Sequence, residues 1–101
     1  MARYKMEDNK IVDTDKAQTS WDERTEWNGS NHVSVHTGDQ WCHETLYKSS
    51  KGRYYIVSWS QCQPGKQNAY WISNEGAVAW LVLNEDTIPE DLASIEEEIV
   101  E

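Results

Sequence analysis

Apolar and polar residues alternate along the central part of the chain, and this period of two indicates β-strands with one wet face. The alternation runs through Trp21–Trp27, His32–His36, Gln40–Ser49 and Arg53–Cys62, and it resumes over Gln67–Ile72. Turn residues such as glycine, asparagine and proline separate these stretches. The pattern predicts an antiparallel meander of four to five strands.

The two longest stretches are predicted to form a hairpin, closed by a three-residue loop with Gly52 in the left-handed position. The expected cross-strand pairs are His43 with Trp59, Thr45 with Val57 and Tyr47 with Tyr55. Because side chains alternate between the faces of a strand, one parity gathers most of the large apolar residues. The predicted core face carries Trp21, Trp27, Val33, Val35, Trp41, Tyr47, Tyr55, Val57, Trp59, Tyr70 and Ile72.

The period changes after Ile72, where the chain becomes helical in pattern. Residues 77–83 are apolar nearly all round, which predicts a buried helix over Asn74–Leu83 lying across the aromatic face. An apolar stripe with acidic residues opposite predicts a second, amphipathic helix over Pro89–Val100. The fold class expected is therefore α+β, in one domain spanning residues 1–101, with residues 1–10 frayed.

Composition and charge narrow the range of functions. The chain has six tryptophans, five tyrosines, no phenylalanine and a net charge of −9, of which −8 falls in the last 21 residues. Direct binding to nucleic acid or to an anionic membrane is not expected, because both need clustered lysine and arginine. The sequence shows no secretory signal, no transmembrane stretch and only two cysteines, so we expect a cytoplasmic protein.

Catalytic and phosphate-binding motifs are missing from the sequence, so a non-enzymatic protein without a cofactor is favoured. The nearest approach to a chemical site is His32, Cys42 and Glu44, which the predicted register brings together on the wet face. Imidazole, thiolate and carboxylate are zinc ligands, so these residues are the candidate metal site. The alternative is that they are solvated polar side chains on an exposed sheet face.

Tyr54, Ile56 and Trp71 are predicted to share the face opposite the core. One interpretation is an exposed apolar patch that contacts a partner protein or a second copy of the chain. The other is that the N-terminal segment covers this face.

The acidic residues Glu96, Glu97 and Glu98 form a second candidate contact surface on the last helix. A solvated face is the ordinary meaning of such a run of charge. The alternative is an acidic surface that attracts a basic protein, as in inhibitors that imitate nucleic acid.

Three segments carry a resemblance to a known type of protein: Leu46–Val57, Ala77–Asn84 and Ile88–Leu92. Their Leu-Tyr…Gly…Tyr-Tyr hairpin and Ala…Trp-Leu helix resemble those of small bacterial proteins carried by chromosomes, plasmids and prophages. The resemblance implies a bacterial or mobile-element origin, and it carries over no catalytic residues to this chain. The surplus of aromatic residues, the strong acidity and the missing catalytic motifs together favour a protein-binding or regulatory module that acts on a protein partner or as a homodimer. The alternatives are a metal- or small-ligand-binding protein and an acidic mimic of nucleic acid.

Overall fold

The computed structural model describes residues 3–27, 29–38, 41–60 and 67–99. They form an α+β fold with antiparallel strands and two short α-helices, so the predicted fold class is confirmed at this level. No helix in these segments has the length and the apolar character needed to cross a membrane.

The strands of the described residues form one four-stranded sheet and two separate hairpins. In chain order they are β1 (Arg3–Lys5), β2 (Ile11–Asp13), β3 (Thr19–Asp22), β4 (Thr25–Trp27), β5 (His32–Ser34), β6 (Cys42–Lys48), β7 (Tyr54–Ser60) and β8 (Gln67–Trp71). The sheet has the order β3-β6-β7-β8, while β1 pairs with β2 and β4 pairs with β5. All of these pairings are antiparallel.

The longer helix, α1, spans Asn74–Leu83, which is the predicted range. It begins there because the Ser73 hydroxyl accepts a hydrogen bond from the Gly76 amide at 3.0 Å, which satisfies a free N–H of the first turn. The second helical segment opens as a 3-10 turn at Glu90–Leu92 and continues as α2 over Ala93–Ile99. It is therefore less regular at its start than the predicted helix over Pro89–Val100.

The central hairpin has the register that the sequence predicted. His43 pairs with Trp59, Thr45 with Val57, and Tyr47 with Tyr55. Gly52 has a φ of 88°, the left-handed conformation that the short loop requires. Loop length and glycine position were sufficient to set this pairing.

The prediction that the large apolar residues share one face is wrong. Trp21 lies opposite Leu46, and Tyr70 lies opposite Ile56, so both belong to the even-numbered face of the central strands. Tyr55 lies on the other face. The physical reason is that directly paired residues share a face, and each connection resets the parity of the next strand.

Both faces of the sheet are covered. On one face, the helix face, a buried cluster joins sheet and helix residues: Leu46, Tyr54, Ile56, Ala77, Val78, Trp80, Leu81 and Leu92. On the other, the hairpin face, Met6 and Val12 from the N-terminal hairpin (β1 and β2) pack on Tyr55 and Val57. The helix α1 is not buried all round as predicted, because Val82 and Leu83 remain 43% and 50% exposed.

Two further segments differ from the prediction. Residues 3–10 are not frayed, since β1 pairs with β2 and Met6 is only 2% exposed. The predicted strand Trp21–Trp27 is divided into β3 and β4 at Glu23. The carboxylate of Glu23 accepts a hydrogen bond from the Glu44 amide at 2.6 Å, in place of a backbone carbonyl. The backbone hydrogen bonds between β3 and β6 therefore end there.

Candidate functional site

The predicted contact patch of Tyr54, Ile56 and Trp71 does not exist as one surface. Tyr54 and Ile56 are buried, with 1% and 5% exposure, and they pack in the cluster under α1. Trp71 pairs with Tyr55 and therefore lies on the opposite face. The error follows from parity, since the register between β7 and β8 sets Tyr70, and not Trp71, beside Ile56.

The acidic residues of α2 lie partly at the surface. Glu97 and Glu98 are exposed and Glu96 is half-buried. Where the chain is described, no ion pair joins any of the three to a basic side chain. Their role in binding a partner stays a prediction.

The candidate metal residues are not brought together. His32 lies in β5 opposite Trp27, whereas the predicted register placed it opposite Glu44. That register is wrong because β3 and β7 flank β6, so Glu44 lies opposite Ser58 and Cys42 opposite Ser60. Within the described ranges, no three His, Cys, Asp or Glu side chains converge in a way that suits a metal ion.

Glu44 has a structural setting instead. Its carboxylate accepts hydrogen bonds from the Tyr70 hydroxyl at 3.1 Å and from the Trp80 indole N–H at 3.2 Å. Burial, followed by the nearby Glu44 carboxylate, raises the pKa of Tyr70 to about 12. The His36 ring stacks on Trp80 with its centroid 3.9 Å away. Glu44 thus connects two sheet strands to α1.

His43 is held by a carboxylate that sequence reasoning missed. Its Nδ1 lies 2.7 Å from Glu23 Oε2, and the two side chains are only 16% and 9% exposed. Its Nε2 is buried and finds no hydrogen-bond partner in the described part of the chain, and the ring lies beside Trp59 at 5.6 Å. The pair orders the end of β3 against β6, because Glu23 also accepts the Glu44 amide.

A cleft of about 460 Å³ opens between the N-terminal hairpin and the loop that joins β6 to β7. We call it the basic cleft, and its described lining is Arg3, Lys10, Ile11, Val12, Asp13, Lys16, Ser49, Ser50, Lys51, Arg53, Tyr55 and Trp71. Its volume lies within the range of about 300–1,000 Å³ that is common for small-molecule sites.

The charge of the basic cleft is opposite to that of the whole chain. Five of the nine lysines and arginines line it, against one described carboxylate, Asp13. Arg3 pairs with Asp13, and Arg53 pairs with Asp8, each at 3.2 Å. The other three basic residues of the lining form no ion pair with a described carboxylate: Lys10, Lys16 and Lys51. Lys16 lies near enough to Asp13 to help lower the pKa of that carboxyl. Among the described residues, the lining therefore carries more positive than negative charge.

One side of the basic cleft is organised around Trp71. The guanidinium of Arg53 lies 3.8 Å from the centroid of the Trp71 ring, which is a close cation–π contact. The Trp71 indole donates a hydrogen bond to Asp8 at 3.1 Å, and the same carboxylate accepts from Arg53 at 3.2 Å. The indole bond, with those from the Lys10 amide and Arg53, lowers the pKa of Asp8. Arg53 is thereby held in one position.

The most unusual group in the lining is the Tyr55 hydroxyl. Tyr55 is fully buried, and its hydroxyl has no hydrogen-bond partner among the described residues. The ring stacks on Tyr47 at 5.2 Å and meets the edge of Trp71 at 5.8 Å. Burial raises the pKa of Tyr55 to about 12, with smaller contributions from Tyr47 and Asp13. At neutral pH the group is therefore an uncharged O–H donor.

Comparison of the chain with protein-family models, with curated proteins and with solved structures gave no significant match. The chemistry of the basic cleft is therefore what points to a function. Sequence reasoning missed this site because its residues come from three segments that meet only in the fold. One signal was available, since residues 41–60 form a block of positive net charge within an acidic chain.

Proposed function

We propose that this protein is a non-enzymatic module that binds a small anionic ligand in the basic cleft. One observation carries the proposal. More than half of the basic residues of a chain with net charge −9 line a single cleft, and three of them have no described ion-pair partner. Clefts lined by one sign of charge focus the electric field and concentrate ligands of the opposite sign.

The charge distribution supports a small ligand over an extended one. Outside the basic cleft the chain is strongly acidic, so a long polyanion would be repelled where it left the lining. At physiological ionic strength the Debye length is about 8 Å, which confines the attraction to the neighbourhood of the lysines. A ligand that fits within the cleft meets only the attractive region.

The lining supports binding more than catalysis. Its hydroxyl groups are those of Ser49, Ser50 and Tyr55, and Tyr55 stays protonated at neutral pH. Its described carboxylate, Asp13, is paired with Arg3. No described histidine or cysteine belongs to the lining, so an activated nucleophile with a neighbouring base is lacking among these residues.

The test is a titration of the whole protein with inorganic phosphate, followed by amide chemical shifts and by melting temperature. We expect shifts concentrated in the N-terminal hairpin and the loop between β6 and β7. The variants Lys10→Gln and Lys51→Gln are expected to weaken binding about three- to tenfold each. Raising the salt to about 0.15 M should weaken it further.

Lys5→Gln is the matched control. Lys5 is exposed on the same hairpin and carries the same charge, but it does not line the cleft. If Lys5→Gln and Lys51→Gln weakened phosphate binding equally, binding would depend only on the overall charge of the protein, and the proposed site would be rejected. Shifts spread over the whole surface would have the same meaning.

A second proposal keeps protein binding through α2, because Glu97 and Glu98 are exposed and lack a described ion pair. Its partner would be a basic protein, and its association would weaken steeply as salt is raised. Replacing both glutamates with glutamine should abolish that salt dependence. Under this second proposal the protein is cytoplasmic and comes from a bacterium or a mobile element.

A further inference from the structure

We infer that the ligand of the basic cleft is a phosphate monoester with a small aromatic or aliphatic group. Its phosphate would lie among the unpaired lysines and accept a hydrogen bond from Tyr55, and its apolar group would lie against Ile11. This inference rests on the proposed function and names the ligand class for that site. Three observations lead to it: the number of unpaired charges, the Tyr55 hydroxyl and the apolar wall.

The unpaired charges favour phosphate over a carboxylate. Lys10 and Lys16 belong to the N-terminal side of the cleft, while Lys51 comes from the loop between β6 and β7. Donors on opposite sides suit a tetrahedral group with several oxygens better than a planar carboxylate with two. A phosphate monoester carries a charge of about −1.5 to −2 at neutral pH and three strong acceptor oxygens. It therefore matches the positive charge of the lining and has oxygens enough for lysines from both sides of the cleft.

The Tyr55 hydroxyl is a donor that the described protein leaves unused. Buried polar groups almost always have a hydrogen-bond partner, so a fully buried hydroxyl without one requires an explanation. Tyr55 contributes to the lining, and Lys10 and Lys51 of the same lining have exposed side chains that are long enough to move aside. A ligand oxygen that enters between them would give the hydroxyl its partner.

The apolar wall implies that the ligand is larger than a phosphate ion. Ile11 is 68% exposed and lines the cleft next to Lys10. Val12 and Trp71 contribute further apolar surface to the same lining. A cleft of about 460 Å³ leaves ample room beside a phosphate group. An aromatic or aliphatic group placed there would cover the exposed Ile11 side chain.

The experiment compares four probes by calorimetric titration of the whole protein: phenyl phosphate, inorganic phosphate, phenyl sulfate and phenol. We expect phenyl phosphate to bind about tenfold or more tightly than inorganic phosphate, since burying an isoleucine-sized contact adds to the phosphate interaction. Phenyl sulfate, which carries one charge, should bind more weakly than phenyl phosphate. Phenol should not bind measurably.

Two variants separate the parts of the ligand. Tyr55→Phe should weaken binding of both phosphate probes about threefold to tenfold, because it removes one hydrogen bond to a charged acceptor. It should not lower the melting temperature of the free protein, since the hydroxyl has no hydrogen-bond partner in the described ranges to lose. Ile11→Ser should weaken binding of phenyl phosphate but leave inorganic phosphate unchanged. A fall in melting temperature for Tyr55→Phe would show a structural role and overturn the assignment of the hydroxyl to the ligand.

Failure of the inference differs from failure of the proposed function. If neither phosphate probe binds, no anion site exists and both fall. If inorganic phosphate binds as tightly as phenyl phosphate, and Ile11→Ser changes neither, the anion site stands while the ligand class is wrong. Equal binding of phenyl sulfate and phenyl phosphate would also overturn the choice of a phosphate monoester.

Discussion

Replacement of Glu44 is the perturbation that best separates its two possible roles. The sequence suggested Glu44 as a metal ligand, whereas the structure shows its carboxylate accepting hydrogen bonds from Tyr70 and Trp80. If the structural role is correct, Glu44→Ala destabilises the protein in the absence of any metal. If the metal role is correct, removal of metal from the wild type should have the same effect as the substitution.

The expected magnitude follows from what happens to the two donors. Trp80 is 6% exposed, so its indole N–H would lose its partner in a place that water reaches poorly, at a cost of about 1–3 kcal/mol. Tyr70 is half-buried, so its hydroxyl can turn toward water and the loss is about 1 kcal/mol. Together these give about 2–4 kcal/mol for Glu44→Ala. Glu44→Gln keeps one acceptor oxygen and should cost about half as much.

The assay is equilibrium unfolding in urea, run with and without a chelator. Glu97→Ala serves as the control, because this exposed residue of α2 forms no described ion pair and should change stability by less than about 0.5 kcal/mol. The structural account would be refuted if Glu44→Ala, like the control, lowered the free energy of unfolding by less than about 0.5 kcal/mol. A wild-type unfolding midpoint that falls on adding chelator, while that of Glu44→Ala does not move, would restore the metal hypothesis.

Three other predictions test the fold. Leu46→Ala should cost about 2–5 kcal/mol in urea unfolding, because Leu46 is fully buried under α1, and the exposed Ile11→Ala should cost almost nothing. Ser73→Ala should cost about 1 kcal/mol and lower helicity by circular dichroism, since it removes the cap of α1. Burial raises the pKa of Tyr55 and Tyr70 to about 12, above the unfolded value of 10.0, so their contribution to stability is complete below pH 10 and is lost as pH rises toward 12. The absorbance of tyrosinate from these two residues should therefore appear together with alkaline unfolding. Ionisation of Tyr55 and Tyr70 near pH 10 in the folded protein would contradict their burial.

The basic cleft shows what local sequence pattern could not predict about the candidate site. Residues 41–60 carry a positive net charge, but basic residues of the cleft also come from the N-terminal hairpin, whose first part, residues 1–10, was expected to be frayed. Met6 and Val12 attach that hairpin to the sheet by covering Tyr55 and Val57. A three-residue strand such as β1 carries too little periodicity to reveal this contact, which depends on a partner surface distant in sequence.

The sequence alone determined the elements whose signals are local. The helix α1 follows from its cap at Ser73 and its apolar run, and the pairing of β6 with β7 follows from the short loop at Gly52. Tertiary structure decided which face of the sheet α1 covers. In Tyr54–Val57 the odd-numbered and the even-numbered residues are all apolar, so alternation does not show which face is the buried one. Tertiary structure also decided that Glu23, and not a continued strand, ends the ladder of β3, and that scattered lysines meet in one cleft. Hydrophobic periodicity and helix capping depend on residues a few positions apart, so the sequence shows them directly. The face on which a side chain lies, the register of strands joined by long connections and the meeting of charged residues depend on packing between segments that are distant in sequence.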